Sequence, residues 1–391
     1  MMDALLQRIN QNALNIQASS IRAFDEHISK IDGMIKLTLG EPDFSTPDHV
    51  KQAGIVAIEG DESHYFPTPG SLKLRQAASH FLNNKYQLRY DANTEVIVTV
   101  GATEALFASL LTVLNPGDKV VVPSPFFGMY QSMIRLIGGE PILIDTSADN
   151  FILTAEKLEA AFAEHGDAIK AVLINYPSNP TGAIWTEEQA KAVAKVLEDR
   201  PVFVISDEVY SELVYEGKHV SLGHFLPEQT IVINGLSKSH AMTGWRVGLV
   251  FAKAPVMEQV TKVHQQLVTT ATSISQEAAY EALQNGANDA EPMREAYQAR
   301  RDFVYQTMTE LGFTIAKPNG AFYIFARIPE DLEQDSYQFA LDVAEHARVG
   351  FIPGSGFGPG GEHHVRLSYA ASMDDLEEAM KRIKEYITSL R

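Results

Sequence analysis

The 391-residue chain contains no cysteine, which removes disulfides, thiolate nucleophiles and cysteine-based zinc sites from consideration. It is also poor in positive charge: 32 Lys and Arg stand against 50 Asp and Glu, a formal charge of −18. Gripping a phosphate backbone requires clustered Lys and Arg, so this balance argues against nucleic acid as a partner. No apolar run reaches the ~18 residues of a membrane span. The first fifteen residues, MMDALLQRINQNALN, lack the basic start and apolar centre of a secretion signal. The expectation is a cytoplasmic protein with no membrane partner. Neither a G-x-S-x-G nucleophile elbow nor a Walker A loop occurs.

What the sequence does contain is alternation. Between about residues 46 and 285, short β-rich runs alternate with helical patterns: 95–100 (EVIVTV), 119–122 (KVVV), 141–145 (PILID), 170–175 (KAVLIN), 202–206 (VFVIS), 230–234 (TIVIN) and 247–252 (VGLVFA). These runs are mostly continuously apolar, which predicts a mostly parallel sheet of seven strands buried on both faces by helices. Thr46 and Pro47 read as the cap and first residue of one helix, and Thr186 as the cap of another. After residue 286 the pattern becomes a long charged helix, two strand-like runs at 321–326 and 364–368, and two further helices. The fold class predicted is therefore α/β, with a large domain over 46–285 and a smaller α+β domain over 286–391. The segment 1–45, read as one helix plus the irregular 39–44 (LGEPDF), joins the smaller domain.

In a doubly wound sheet the ligand crevice lies beyond the carboxyl ends of the strands, so the residues after each strand carry the chemistry. After the first run come Gly101, Ala102 and Thr103 opening a helix, whose free backbone N–H groups suit a phosphate. After the second come Phe126 and Phe127; after the fourth, Asn179 in 176–182 (YPSNPTG); after the fifth, Asp207 and Tyr210; after the sixth, Ser237 and Lys238. A phosphate cradle, an aromatic plate, an amide, a carboxylate with a phenol, and a lysine together describe a site for a charged aromatic cofactor.

The segments 179–182 (NPTG), 206–210 (SDEVY) and 237–248 (SKSHAMTGWRVG) resemble the class I/II aminotransferases, pyridoxal-phosphate enzymes of fold type I, and the resemblance runs nearly end to end. Among these the chain looks most like the aminotransferase A and aromatic aminotransferase group. The resemblance implies pyridoxal 5'-phosphate as cofactor, with Lys238 as the Schiff-base lysine and general base. It implies Asp207 as the carboxylate facing the pyridine nitrogen, and Tyr210 and Asn179 as the groups bonded to the phenolic oxygen. Phe127 is implied as the stacked plate with Phe126 in the core, and Arg246 as the phosphate-binding arginine. Ser237 receives a phosphate role by the same likeness, but Gly235 does not, because relatives carry a serine there. Tyr65 resembles the tyrosine reaching the neighbouring subunit's cofactor phosphate, which implies a homodimer. Arg366 resembles the arginine that clamps the substrate α-carboxylate, and Gly40 a loop glycine beside the substrate.

The activity implied is transfer of an amino group from an L-amino acid, aromatic or broad in range, to a 2-oxo acid such as 2-oxoglutarate. N-acetyl-diaminopimelate is the alternative donor, and a carbon–sulfur β-lyase the alternative chemistry. Thr103 stands where some aspartate-using relatives carry lysine, which weighs against a dicarboxylate preference. The run 356–361 (GFGPGG) matches a dinucleotide fingerprint by letter but precedes a strand, so it is read as a loop. His363 and His364 are read as strand neighbours on opposite faces, unable to share a metal.

Overall fold

The computed structural model describes residues 1–16 and 20–391. All seven predicted strands form, and they assemble into one seven-stranded sheet. Its spatial order, by residue range, is 96–100, 247–251, 230–235, 203–207, 169–175, 119–124, 140–145. Neighbours run parallel except at the 247–251 strand, which is antiparallel to both of its partners. The continuous apolar runs translate into burial: Val96, Ile97, Val98, Val120, Val121, Val172, Leu173, Val204, Ile205, Ile231, Val232 and Val250 are all almost fully enclosed. The edge strand Glu140–Asp145 is the exception, being only partly covered along its length. Expecting burial of both faces was wrong there, whereas the other edge strand, 96–100, is enclosed.

A second sheet of four strands, ordered 352–353, 364–368, 323–327, 314–315, carries the C-terminal part. The helices Ala290–Glu310, Ser336–Ala347 and Met373–Leu390 accompany it. The N-terminal segment returns to this region through a parallel pairing of Ile35–Lys36 with Val349–Gly350. Among the described residues that segment holds three short helices, Met2–Leu6, Gln11–Leu14 and Ser20–Ile28, rather than the single one expected. Among the described residues no helix is long and apolar enough to cross a membrane.

Two capping expectations had different outcomes. Thr186 forms a reciprocal capping box with Gln189, starting the helix Glu187–Leu197. Thr46, by contrast, does not cap: the helix begins at Asp48 with Pro47 in the cap position, and the Thr46 hydroxyl donates to the carbonyl of Ala241 at 2.8 Å. That bond ties the segment after Gly40 to the loop after Lys238, so a distant carbonyl outcompetes the local cap.

Candidate functional site

The carboxyl edge of the large sheet gathers the motif residues. Asp207 ends its strand and is almost fully buried, and no helix begins directly after it. One carboxylate oxygen accepts a 2.6 Å hydrogen bond from the hydroxyl of Tyr130, and the other a longer one from the backbone N–H of Val209. Burial pushes the Asp207 carboxyl up to about 6, against the opposing pull of Tyr130, Val209 and the charge of Lys238. Asn175, on the neighbouring strand, donates its side-chain amide to the Asp207 carbonyl at 2.9 Å and so fixes the strand exit.

Lys238 sits in the short helix Leu236–Ser239, directly after the strand Thr230–Gly235, which is the sheet neighbour of the Asp207 strand. Its ammonium donates to the carbonyl of Gly40 at 2.5 Å and lies 5.9 Å from the Tyr210 ring centroid and 5.6 Å from that of Phe322. Burial lowers the amine to about 8, and the nearby positive Arg246 and Arg366 add to this, while Glu41 and Asp207 oppose it. A carboxyl raised and an amine lowered at adjacent strand exits is the pattern expected of groups tuned for proton work.

Beside them is an anion cradle. Gly101 opens the helix Gly101–Val113 at φ 73°, and a Cβ placed on it would come within 2.6 Å of the Arg246 guanidinium. Only glycine allows both that backbone angle and that approach. Arg246 is itself held in the left-handed region at φ 55°, with Nη1 donating to the Thr243 carbonyl at 2.9 Å. The N–H groups of Gly101, Ala102 and Thr103 belong to the first helical turn, whose amides lack intrahelical acceptors. Glu104, in the same turn, is already engaged by the protein: it accepts from the backbone N–H of Val100 and from the buried His264 at 2.7 Å each. The cradle thus keeps its positive character. Ser237 is half-buried at the same edge, and its hydroxyl bonds to no described residue.

The second sheet supplies the opposite wall. Arg366 is buried on the strand His364–Ser368, with Nη2 donating to the Thr38 carbonyl at 2.6 Å and Nη1 to the Asn179 side-chain oxygen at 3.2 Å. Its guanidinium stacks over Tyr323 at 4.5 Å and Phe357 at 5.0 Å, and its Nε has no partner. Burial lowers the Arg366 pKa from its ordinary value, with Tyr323, Tyr210 and Asp25 opposing. Among the described residues no carboxylate is paired with it. A buried guanidinium holding only carbonyl and amide oxygens is a socket for an external anion. The Tyr323 hydroxyl bonds that of Tyr210 at 2.9 Å, and it would also meet a Cβ at Gly40 at 2.6 Å. Glycine at position 40 is therefore required for Tyr323 to lie there.

Lys238, Gly40, Tyr210, Asn179 and Arg366 are thus joined by direct contacts, with Asp207 adjacent in the sheet and Gly101 and Arg246 beside it. Phe126 is in the core, whereas Phe127 is half-buried and packs edge-on against Tyr130 at 5.6 Å. Tyr65 stands apart, 84% exposed, on the loop that leads to Pro69, whose carbonyl bonds the Val98 N–H in the sheet. Sequence reasoning missed Tyr130 and Tyr323. Tyr130 follows Phe127 by three, a helical spacing that could have flagged it; nothing local marks Tyr323. The glycine-rich run does form a loop, a single 3₁₀ turn at Gly354–Phe357, and it brings Phe357 beneath Arg366. The reading of the adjacent histidines needs correction: His363 precedes the strand, so it is not bound by strand alternation, and both rings line one cavity. Among the described residues there is no cluster of three metal-ligating side chains.

Residues 32–383 match the family model described as aminotransferase class I and II. The chain is 44% identical over 98% of its length, and 96% of the other protein's, to a "Probable N-acetyl-LL-diaminopimelate aminotransferase" of Bacillus subtilis. It is 36% identical to the aromatic-amino-acid aminotransferase 2 of Thermococcus litoralis, over 95% of this chain and 96% of that one. Among solved structures, the aspartate aminotransferase of Thermus thermophilus with maleate superposes at a TM-score of 0.91 with 34% identity, covering 96% of this chain and 99% of that one. The fold, the converging strand exits and these likenesses agree: the chain belongs to the class I and II aminotransferases.

Proposed function

We propose that this chain is a pyridoxal-phosphate-dependent transaminase that moves the amino group of an L-amino acid to a 2-oxo acid such as 2-oxoglutarate. The observation that carries the reading is the pairing of Lys238 and Asp207 at adjacent strand exits, an amine lowered and a carboxyl raised by burial. The residues fit the cofactor chemically: a carbonyl-reactive amine, a carboxylate for a protonated ring nitrogen, and a helix N-terminus with Arg246 for a phosphate. When bound, pyridoxal phosphate supplies an electron sink that makes the substrate α-hydrogen acidic.

The chain's own residues would do the rest. Lys238, freed as an amine, takes the α-proton and returns it elsewhere, and a pKa near 8 leaves it competent for both directions near neutrality. Asp207 holds a proton on the ring nitrogen, and Tyr130 keeps that carboxylate oriented. Tyr210 and the free side-chain NH₂ of Asn179 offer hydrogen bonds to the ring oxygen, while Phe127 covers one ring face. Arg246, Gly101, Ala102, Thr103 and Ser237 hold the phosphate. Arg366 takes the substrate α-carboxylate, with Gly40 shaping the space beside it. In this reading Tyr65 is contributed to the neighbouring subunit of a homodimer, which its exposure in the single chain supports.

For the donor, an aromatic or broad range remains our reading, supported by the aromatic aminotransferase relative and by Thr103 at the helix start. N-acetyl-diaminopimelate is the second reading, favoured by the 44%-identical Bacillus subtilis protein. The test is a donor panel of aromatic amino acids, aspartate and N-acetyl-LL-diaminopimelate, read as glutamate formed from 2-oxoglutarate. Glutamate formation supports transamination, and the preferred donor decides between the readings. Pyruvate and ammonia without glutamate from an S-alkyl-cysteine added to the panel would indicate a carbon–sulfur β-lyase.

A further inference from the structure

A second cavity of about 360 Å³ opens at one end of the small sheet, within the size range of roughly 300–1,000 Å³ typical of small-molecule sites. Its walls include Asp145, Phe151, Arg327, Glu362, His363 and His364. Only Phe151 also lines the small recess beside Tyr130 and Asn179, so this cavity is separate from the site around Lys238.

Three features of its polar groups stand out. The guanidinium of Arg327 forms no hydrogen bond or ion pair with any described residue, although Arg327 is only partly exposed in a chain with an excess of acids. Among the described residues the Asp145 and Glu362 carboxylates form no ion pair: that of Asp145 accepts from the Ser147 backbone N–H at 2.8 Å, the nearby Lys157 ammonium bonds the Asp145 backbone carbonyl and pairs with Asp149 instead, and both acids are open to solvent. His364 is 9% exposed and stacks flat on Phe325 at 4.9 Å, and its Nδ1 has no partner. The unpaired guanidinium of Arg327 on the cavity wall is the group that points to an occupant.

The charges specify that occupant. A plain anion would suit Arg327 but face two carboxylates, and a plain cation would suit those carboxylates but face Arg327. From this juxtaposition we propose that the cavity is a second binding site for a free α-amino acid, its carboxylate on Arg327 and its ammonium on Asp145 and Glu362. The edge-on ring of Phe151, 5.5 Å from Phe325 and 5.7 Å from His364, gives the ligand's carbon side an apolar wall. Phe151 is held at φ 66°, an uncommon angle for a bulky residue, and this places its ring at the seam between the cavity and the recess. The His364 ring is neutral near pH 7, since burial and the neighbouring Arg327 and His363 lower it to about 4. It therefore adds no charge to the wall. Arg327 and His364 are register partners in the small sheet, and His364 lies two residues from Arg366 on the same strand face, so the site adjoins the substrate end without sharing its residues.

The proposal does not depend on the chemistry at Lys238. Its test is equilibrium dialysis of the cofactor-loaded enzyme with labelled α-methyl-L-glutamate, which lacks the α-hydrogen and cannot turn over. We expect two molecules bound per chain, falling to one in Arg327→Gln, whose transamination kcat and KM stay within about twofold of wild type. Glu362→Gln, at the exposed rim and harmless to folding, should weaken the second site about tenfold by removing one charge-assisted contact. Glutarate, which has no ammonium, should not displace the second molecule. A wild-type enzyme that binds only one molecule and keeps it in Arg327→Gln, or two molecules that persist in both variants, overturns the proposal. One molecule that is lost in Arg327→Gln supports it and contradicts the active-site reading instead.

Discussion

The two walls of the site differ in how complete they are. On the large sheet, each charged group already has protein partners: Asp207 has Tyr130 and Val209, and Glu104 has His264 and Val100. On the small sheet, Arg366 is equally buried but keeps one nitrogen unpaired and, among the described residues, pairs with no carboxylate. The lesson is a division of labour, with the first wall built to hold a permanent group and the second left with capacity for one that comes and goes.

Breaking the first wall should have the largest effect. Lys238→Ala should reduce transamination by at least about 10⁴-fold, because no other amine stands at that strand exit to move the proton. Steady-state rates on the best donor check this, with circular dichroism confirming the fold. On the second wall, Arg366→Ala should lower kcat/KM by about a thousandfold for every α-amino acid, since removing one partner of a buried charged pair costs roughly 3–5 kcal/mol. Lysine at 366 should restore only part of this, lacking the planar fork. If the comparison is right, cofactor colour survives Arg366→Ala. Loss of colour would mean that the second wall also holds the permanent group.

How far the sequence revealed each wall follows the same line. Lys238, Asp207, Arg246 and Gly101 stand at strand exits within short local motifs, so strand pattern and spacing suffice to find them. Arg366 was legible only by resemblance, since its setting depends on Tyr323, Phe357, Thr38 and Asn179, brought from four distant segments. Tyr323 was not legible: in the run 321–326 (AFYIFA) it reads as one more apolar strand residue, and only the pairing of strands 323–327 and 364–368 sets it under the arginine. The failure at Thr46 has the same cause, a tertiary acceptor at Ala241 that no local rule anticipates.

Smaller effects sharpen the contrast. Tyr323→Phe removes the hydroxyl that bonds Tyr210 and sits against Gly40. One neutral hydrogen bond contributes about 1 kcal/mol, so kcat/KM should fall by roughly five- to tenfold with cofactor retained, as seen in steady-state kinetics and absorbance.

The pH dependence of cofactor capture offers a gentler probe of Lys238. Only the neutral amine attacks an aldehyde, and burial lowers this amine to about 8. With the folded value depressed below the ordinary lysine value, the neutral form is scarce below pH 8 and predominates above it. Capture by the cofactor-free chain, followed by stopped-flow absorbance, should therefore rise about tenfold per pH unit below 8 and level off above. A rise that continues to pH 10 would show an ordinary, solvated lysine.

The central claim is that Lys238 is the residue to which the cofactor is joined. Borohydride reduction of the yellow holoenzyme, followed by proteolysis and mass spectrometry, tests it directly. The account predicts a reduced pyridoxyl group on the peptide containing Lys238 and on no other. A label on a different lysine, or a colourless protein that takes up no label, would contradict it.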